Sequence, residues 1–137
     1  MSIVLDSSAI LAWFYAGETT PAIRRAVEML VENGAWVPSL WPLEVANVLE
    51  TGVRRGRHDI AFRDSTLADL SLLPISTDPE TGNRAWNATL ELAHRHRLTL
   101  YDAAYLELAR RRQLPLATLD SDLRAAAMAE GVPLLGI

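Results

Sequence analysis

The sequence predicts an α/β fold, a mainly parallel sheet with helices on both faces. Three observations predict it. Short apolar runs suited to buried strands alternate with longer helical runs, the order that crossover units produce. The 137 residues are half hydrophobic and 22% charged, the size and balance of one domain with a real core. No internal repeat, low-complexity tract or long linker divides residues 1–137. In such a sheet, functional groups gather just past the carboxyl ends of the strands.

Each element follows from local chemistry. Ile3-Val4-Leu5 is an apolar run ended by Asp6, a buried strand. Residues 7–16 form a helix stopped by Gly17. Thr19 or Thr20 with Pro21 opens a second helix, with Ile23, Val27, Leu30 and Val31 on one face and a stop at Asn33-Gly34. Trp36-Val37 is a short strand closed by Pro38. Pro42 suits the first turn of a helix running to about Arg55. Asp59 caps another through Leu73, and Ile75-Ser76 follows as a short strand. Pro79 opens a fifth helix with Ala85, Thr89, Leu92 and Ala93 roughly in phase. Thr99 caps a sixth through Arg112. Residues 116–119 are the clearest late strand, 121–130 a helix up to Gly131, and 132–135 a last strand.

Composition removes several function classes. All 13 basic residues are Arg, and the chain has neither Lys nor Cys. Without Lys there is no P-loop, Schiff base or response-regulator site. Without Cys there is no disulfide frame, thiolate nucleophile or Cys-ligated zinc. A net charge of −4 leaves nucleic-acid contact to local basic patches. The apolar run at 9–15 is far short of the ~20 residues a bilayer span requires, and no secretory pattern surrounds it. The expected compartment is the cytoplasm, with no membrane partner.

Four acids share one register. Asp6 ends the first strand and Asp120 ends the strand at 116–119. Glu44 and Asp102 lie in first helical turns. Taken singly, each fits a capping role: Asp6 and Asp120 as N-caps, Thr99 to Asp102 as a capping box, Glu44 favoured by the helix dipole. Taken together, carboxylates converging within roughly 4–6 Å would raise one another's pKa values. A hard divalent cation resolves that conflict. Oxygen-only ligation suits Mg²⁺ or Mn²⁺ better than Zn²⁺.

The surrounding residues resemble a known family. IVLDSSAIL, the run from Pro42 through Glu44 and Asn47 to Leu49, LYDAAYL around Asp102, and ATLDSD with Asp120 and Asp122 are similar, in order, to the successive motifs of PIN domains. The closest subgroup is the VapC-type toxins of bacterial toxin–antitoxin pairs. The resemblance covers essentially the whole chain. It implies a PIN-like three-layer α/β/α fold around a central five-stranded sheet, and a Mg²⁺- or Mn²⁺-dependent endoribonuclease. It assigns Asp6, Glu44, Asp102 and Asp120 to an acidic quartet that binds metal and carries catalysis. Asp122 matches a less regular extra acid, a metal-site group or a simple cap. Ser8 matches a small hydroxyl residue that holds a ligand oxygen or water. Asn47, one turn after Glu44, is placed to orient it. The resemblance also implies an RNA substrate, a VapB-like antitoxin and a homodimer.

Other residues have blander readings. Arg54, Arg55 and Arg57, Arg95 and Arg97, and Arg110 to Arg112 suit helix C-termini through the dipole, or an RNA backbone through phosphate contact. His94 and His96, two apart on a helix, face different sides and suit a solvated surface. Trp13, Phe14, Tyr15, Trp36 and Trp41 suit core or interface, and Trp13 and Trp41 could line a groove for a partner helix. Two functions stay open: a ribonuclease toxin, or a catalytically silent PIN-like domain that binds RNA or protein. The complete acidic quartet favours the first. A phosphatase of a different α/β fold would want a second Asp at position 8 and a Lys, and this chain has Ser8 and no Lys.

Overall fold

A computed structural model describes residues 1–15 and 17–135. The expected end of the first helix at Ala16, and Gly136 and Ile137, lie outside the described residues. In chain order the elements are β1 (Ile3–Leu5), α1 (Ser7–Phe14), α2 (Pro21–Asn33), β2 (Ala35–Val37), α3 (Trp41–Arg54), α4 (Ile60–Ser71), β3 (Ile75–Thr77), α5 (Thr81–Arg84), α6 (Ala88–His96), α7 (Leu100–Arg112), β4 (Leu116–Ala117), α8 (Ser121–Ala129) and β5 (Leu134–Leu135).

The five strands form one sheet in the order β3-β2-β1-β4-β5. Every pairing is parallel, with Val4 opposite Trp36 on one side and Leu116 on the other. The chain leaves β1 toward β2 and β3, then crosses back to lay β4 on the other side of β1. Right-handed crossovers therefore put α1 to α4 on one face and α5 to α8 on the other. The reversal between β1 and β4 is the point where an open parallel sheet opens a crevice at its carboxyl edge.

Ile3, Val4, Ile10, Ile23, Leu30, Val37 and Leu116 are fully buried at the centre of the core. Helix α7 is unusual in burying every residue from Ala103 to Ala109, because α6 and α8 pack against it while it lies on β1 and β4. A charged clasp fixes its far end. Buried Asp78, just after β3, accepts from Arg111 at 2.6 and 3.2 Å and from Arg112 at 3.0 Å. Arg111 also binds Glu107, and the Arg112 guanidinium lies 3.6 Å from the centre of the Trp36 indole.

Local signals explain most helix ends. Thr20, Asp59 and Thr99 each accept a backbone N–H three residues on, with Pro21 at the first position of α2. Gly34 closes α2 at φ +78°, with the Pro74 carbonyl 3.1 Å from where a Cβ would sit. The single helix expected to open at Pro79 and to carry Ala85, Thr89, Leu92 and Ala93 is two. Asn87 breaks it at φ −123°, ψ −98°, and its side chain accepts from the Ala88 N–H at 2.7 Å to start α6 afresh. The strand expected at 116–119 stops at Ala117, because Thr118 and Leu119 turn into the crevice and bond side chains there.

Candidate active site

Asp6 stands one residue past β1, at the crevice between β1 and β4. Its backbone N–H still bonds the Ala117 carbonyl at 3.0 Å, so its position is fixed by the sheet. The residue is 5% exposed. It sits at the start of α1 but makes no side-chain cap bond. Instead, three hydroxyls donate to it: Thr118 to Oδ2 at 2.6 Å, Ser8 to Oδ2 at 3.0 Å and Ser7 to Oδ1 at 3.3 Å. The capping reading therefore fails for Asp6. Asp120 does cap: its Oδ2 accepts the Leu123 N–H of α8 at 2.8 Å.

The hydroxyls lock both strand ends together. Thr118 donates to Asp6 and accepts from the Asp120 N–H at 3.1 Å. Ser8 donates to Asp6 and accepts from the Leu119 N–H at 3.1 Å. From the helices, Glu44 projects from the first turn of α3 and accepts a hydrogen bond from the Tyr105 phenol on α7. Asp102 lies in the first turn of α7, where its backbone N–H is capped by Thr99 at 3.1 Å.

The acids share one electrostatic field. Burial pushes the Glu44 carboxyl above its ordinary value; Tyr105 opposes this by hydrogen bonding, and the charges of Asp6 and Asp102 add to it. Burial also raises Asp102, with Asp6, Asp120 and Asp122 as the charges that reinforce it. Glu44 and Asp102 thus each feel the charge of Asp6, and Asp102 also feels Asp120 and exposed Asp122.

Among the described residues, no group of three or more His, Asp or Glu side chains is drawn close enough to hold an ion directly. The carboxylates surround the crevice without forming a closed cage. Such a wall of oxygen donors, negative and unneutralised, fits Mg²⁺ or Mn²⁺, since Mg²⁺ keeps several waters and takes only one or two carboxylates.

Other expected contacts differ. Asn47 is exposed and no hydrogen bond joins it to Glu44; it lines a separate cleft with Thr51, Gly52 and Arg55. His96 is not on a solvated face. Its Nε2 lies 2.7 Å from half-buried Glu130, which also pairs with Arg95 at 2.9 Å and Arg110 at 3.3 Å. Arg111 and Arg112 are committed to Asp78 rather than free for phosphate. Trp13 and Trp41 do not share a groove. Trp41 is buried in a cleft with Leu67 and Leu70, whereas Trp13, 37% exposed, lines another with Val27 and Val31. Tyr105 and Thr118 belong to the site although, inside LYDAAYL and ATLDSD, neither is assigned a role. The available signals were spacings: Tyr105 lies three residues after Asp102, on the same helical face, and Thr118 two before Asp120.

The PIN domain family profile matches residues 3–128. The chain belongs to the PIN domain family. Against Ribonuclease VapC3 of Pyrobaculum aerophilum this PIN domain is 34% identical over 125 residues, 90% of this chain and 92% of that protein. The crystal structure of PAE2754 from the same organism matches it with TM-score 0.70 at 25% identity, covering 98% of this chain and 83% of the other. VapBC2 of Rickettsia felis, solved bound to a DNA fragment from its promoter, shares the fold with TM-score 0.65 at 14% identity over 100% and 99% of the two chains.

Proposed function

We propose that this PIN domain is a metal-dependent endoribonuclease, the toxin of a VapBC-type toxin–antitoxin pair acting in the cytoplasm. The observation that carries the reading is Asp6. A buried carboxylate at the switch point, held by three hydroxyls and capping nothing, faces two more acids whose proton affinity is raised. The kinship to Ribonuclease VapC3 over 90% of the chain supports RNA as the substrate.

Asp6 and Asp102 would hold the cation, with Glu44 and Asp120 reached directly or through water and Asp122 further out. A divalent ion there would lower the pKa of a water and neutralise charge on the phosphoryl oxygens. The chain supplies the rest. Ser7, Ser8 and Thr118 orient Asp6 by donating to both of its oxygens. One of the carboxylates would take the proton of the attacking water and return it to the leaving 3′ oxygen. Water attacks in line and leaves a 5′-phosphate and a 3′-hydroxyl, with no side chain covalently modified. The VapB-like antitoxin would pack on the apolar strip of Trp13, Val27 and Val31 and bring an Arg or Lys toward the acids. The toxin pairs with a second copy as a homodimer.

The test is cleavage of a defined RNA by the purified protein in Mg²⁺ or Mn²⁺. Wild type cleaves, and Asp102→Asn keeps its circular dichroism spectrum but leaves the RNA intact. Intact RNA with wild type would return the chain to a silent RNA- or protein-binding domain.

A further inference from the structure

Hydroxyls behind the acids join elements that are far apart in sequence. Tyr105 on α7 donates to Glu44 on α3, 61 residues away. The Ser7 hydroxyl at the start of α1 donates to Asp6 at 3.3 Å. Thr118 joins Asp6 to the backbone of Asp120. Hydroxyls therefore hold Glu44 from α7 and tie Asp6 to Asp120 across the ends of β1 and β4.

Tyr105 is the donor from α7. The residue is fully buried, among the largest side chains in the core, so its ring has one setting. Its hydroxyl meets the Glu44 carboxylate. Three residues earlier on the same helical face stands Asp102. Helix α7 thus presents a charge and a fixed donor to the same cleft, and the clasp at Asp78 holds its far end. Glu44, half-buried on another element, has a flexible side chain and faces the charges of Asp6 and Asp102. Without a donor, that repulsion and its burial would turn the carboxylate outward or protonate it.

We propose that Tyr105 is a positioning residue: its O–H holds the Glu44 carboxylate in one setting facing Asp6, so that the crevice is shaped for a divalent cation before the cation arrives. The inference rests on the metal-dependent reading above. It assigns Tyr105 to the outer shell of the site, where a donor fixes a ligand without touching the ion.

Two measurements test it. The first needs no metal. In the chelated protein, proton NMR shows the Tyr105 hydroxyl as a slowly exchanging resonance that Glu44→Gln displaces. A Tyr105 hydroxyl that exchanges with solvent, or ignores Glu44→Gln, overturns the proposal whatever the protein does with metal. The second titrates Mn²⁺ alone, by calorimetry, into wild type, Tyr105→Phe, Glu44→Gln and the double variant. Tyr105→Phe keeps the packing and loses only the O–H, so the expected result is about tenfold weaker Mn²⁺ binding, the lower end for losing an outer-shell partner. In the Glu44→Gln background the same change has no further effect, since the donor acts through Glu44. Unaltered affinity in Tyr105→Phe, or equal losses in both backgrounds, makes Tyr105 a core residue with a satisfied hydroxyl. A wild type that binds no Mn²⁺ overturns the metal reading itself and with it the assignment of Tyr105 to a cation site.

Discussion

A carboxylate held by hydroxyls and a carboxylate held by a helix answer differently to the same substitution. Asp6 accepts two hydroxyls at Oδ2 and one at Oδ1. In Asp6→Asn the amide oxygen can take the Oδ2 place, and the NH₂ group donates to Ser7, whose hydroxyl turns to accept. The change also removes one of the charges that crowd Glu44 and Asp102. Asp120→Asn keeps the cap on α8, because Asn caps about as well as Asp. Both variants are expected to melt at or above the wild-type temperature in chelator while losing RNA cleavage. Asp120→Ala, in contrast, is expected to lose about 1 kcal/mol through the missing cap. Thermal melts in chelator check all three, and an Asp6→Asn protein that melts well below wild type would make Asp6 a structural group. These acids were legible in the sequence because each ends a strand or opens a helix, places that local pattern reveals. Tyr105 and Thr118 were not, because their roles exist only across 61 and 112 residues of chain.

Elements show the same division. Strands β1 to β3 and helices α2, α3, α4 and α7 were legible from apolar runs, caps and Gly stops, since those signals act within a few residues. The break at Asn87 was hidden because Ala85, Thr89 and Leu92 keep a helical phase across it. The joint between α3 and α4 was hidden as well. There the His58 ring folds back over α3, its Nε2 2.8 Å from the Leu49 carbonyl, and packs against both Tyr15 and Phe62 at centroid distances of 5.7 and 4.7 Å. It rests on Gly52, where an added Cβ would come within 2.2 Å of the ring. Gly in a helix interior costs about 1 kcal/mol relative to Ala, so propensity alone predicts that Gly52→Ala stabilises. The packing predicts the reverse: the ring must leave its stack, at a cost of about 1–3 kcal/mol for overpacking. Urea unfolding is expected to show Gly52→Ala destabilised. Removing the obstacle in Gly52→Ala/His58→Ala should abolish the penalty that Gly52→Ala carries, measured against His58→Ala. A stabilised Gly52→Ala single variant would show that the joint is loose.

For the whole molecule, the titrating groups pull stability in opposite directions. Burial raises Glu44 and Asp102 in the folded protein, with neighbouring acids adding to it. A carboxyl raised on folding binds protons more tightly in the native state, so its contribution is fully present below the unfolded pKa and lost as pH climbs through the folded one. Asp78 and Glu130 run the other way. Burial alone would raise Asp78, but hydrogen bonds from Arg111 and Arg112 hold it below its ordinary value, and His96 and Arg95 do the same for Glu130. Their contribution is present above the ordinary carboxylate range and lost as pH falls below it. In chelator the protein is therefore expected to be most stable in mildly acid solution, about pH 5, between these two losses, and to weaken toward pH 7. Bound Mg²⁺ compensates the charge of Glu44 and Asp102, so saturating Mg²⁺ should raise the melting temperature most at neutral pH and flatten the decline. Asp102→Asn should flatten the same decline without metal, because one of the two raised carboxyls is gone. Melting temperatures across pH 4–8, with chelator and with Mg²⁺, decide the point. A metal-free wild type whose stability keeps rising through pH 7 would mean that the acids of the crevice do not strain the fold.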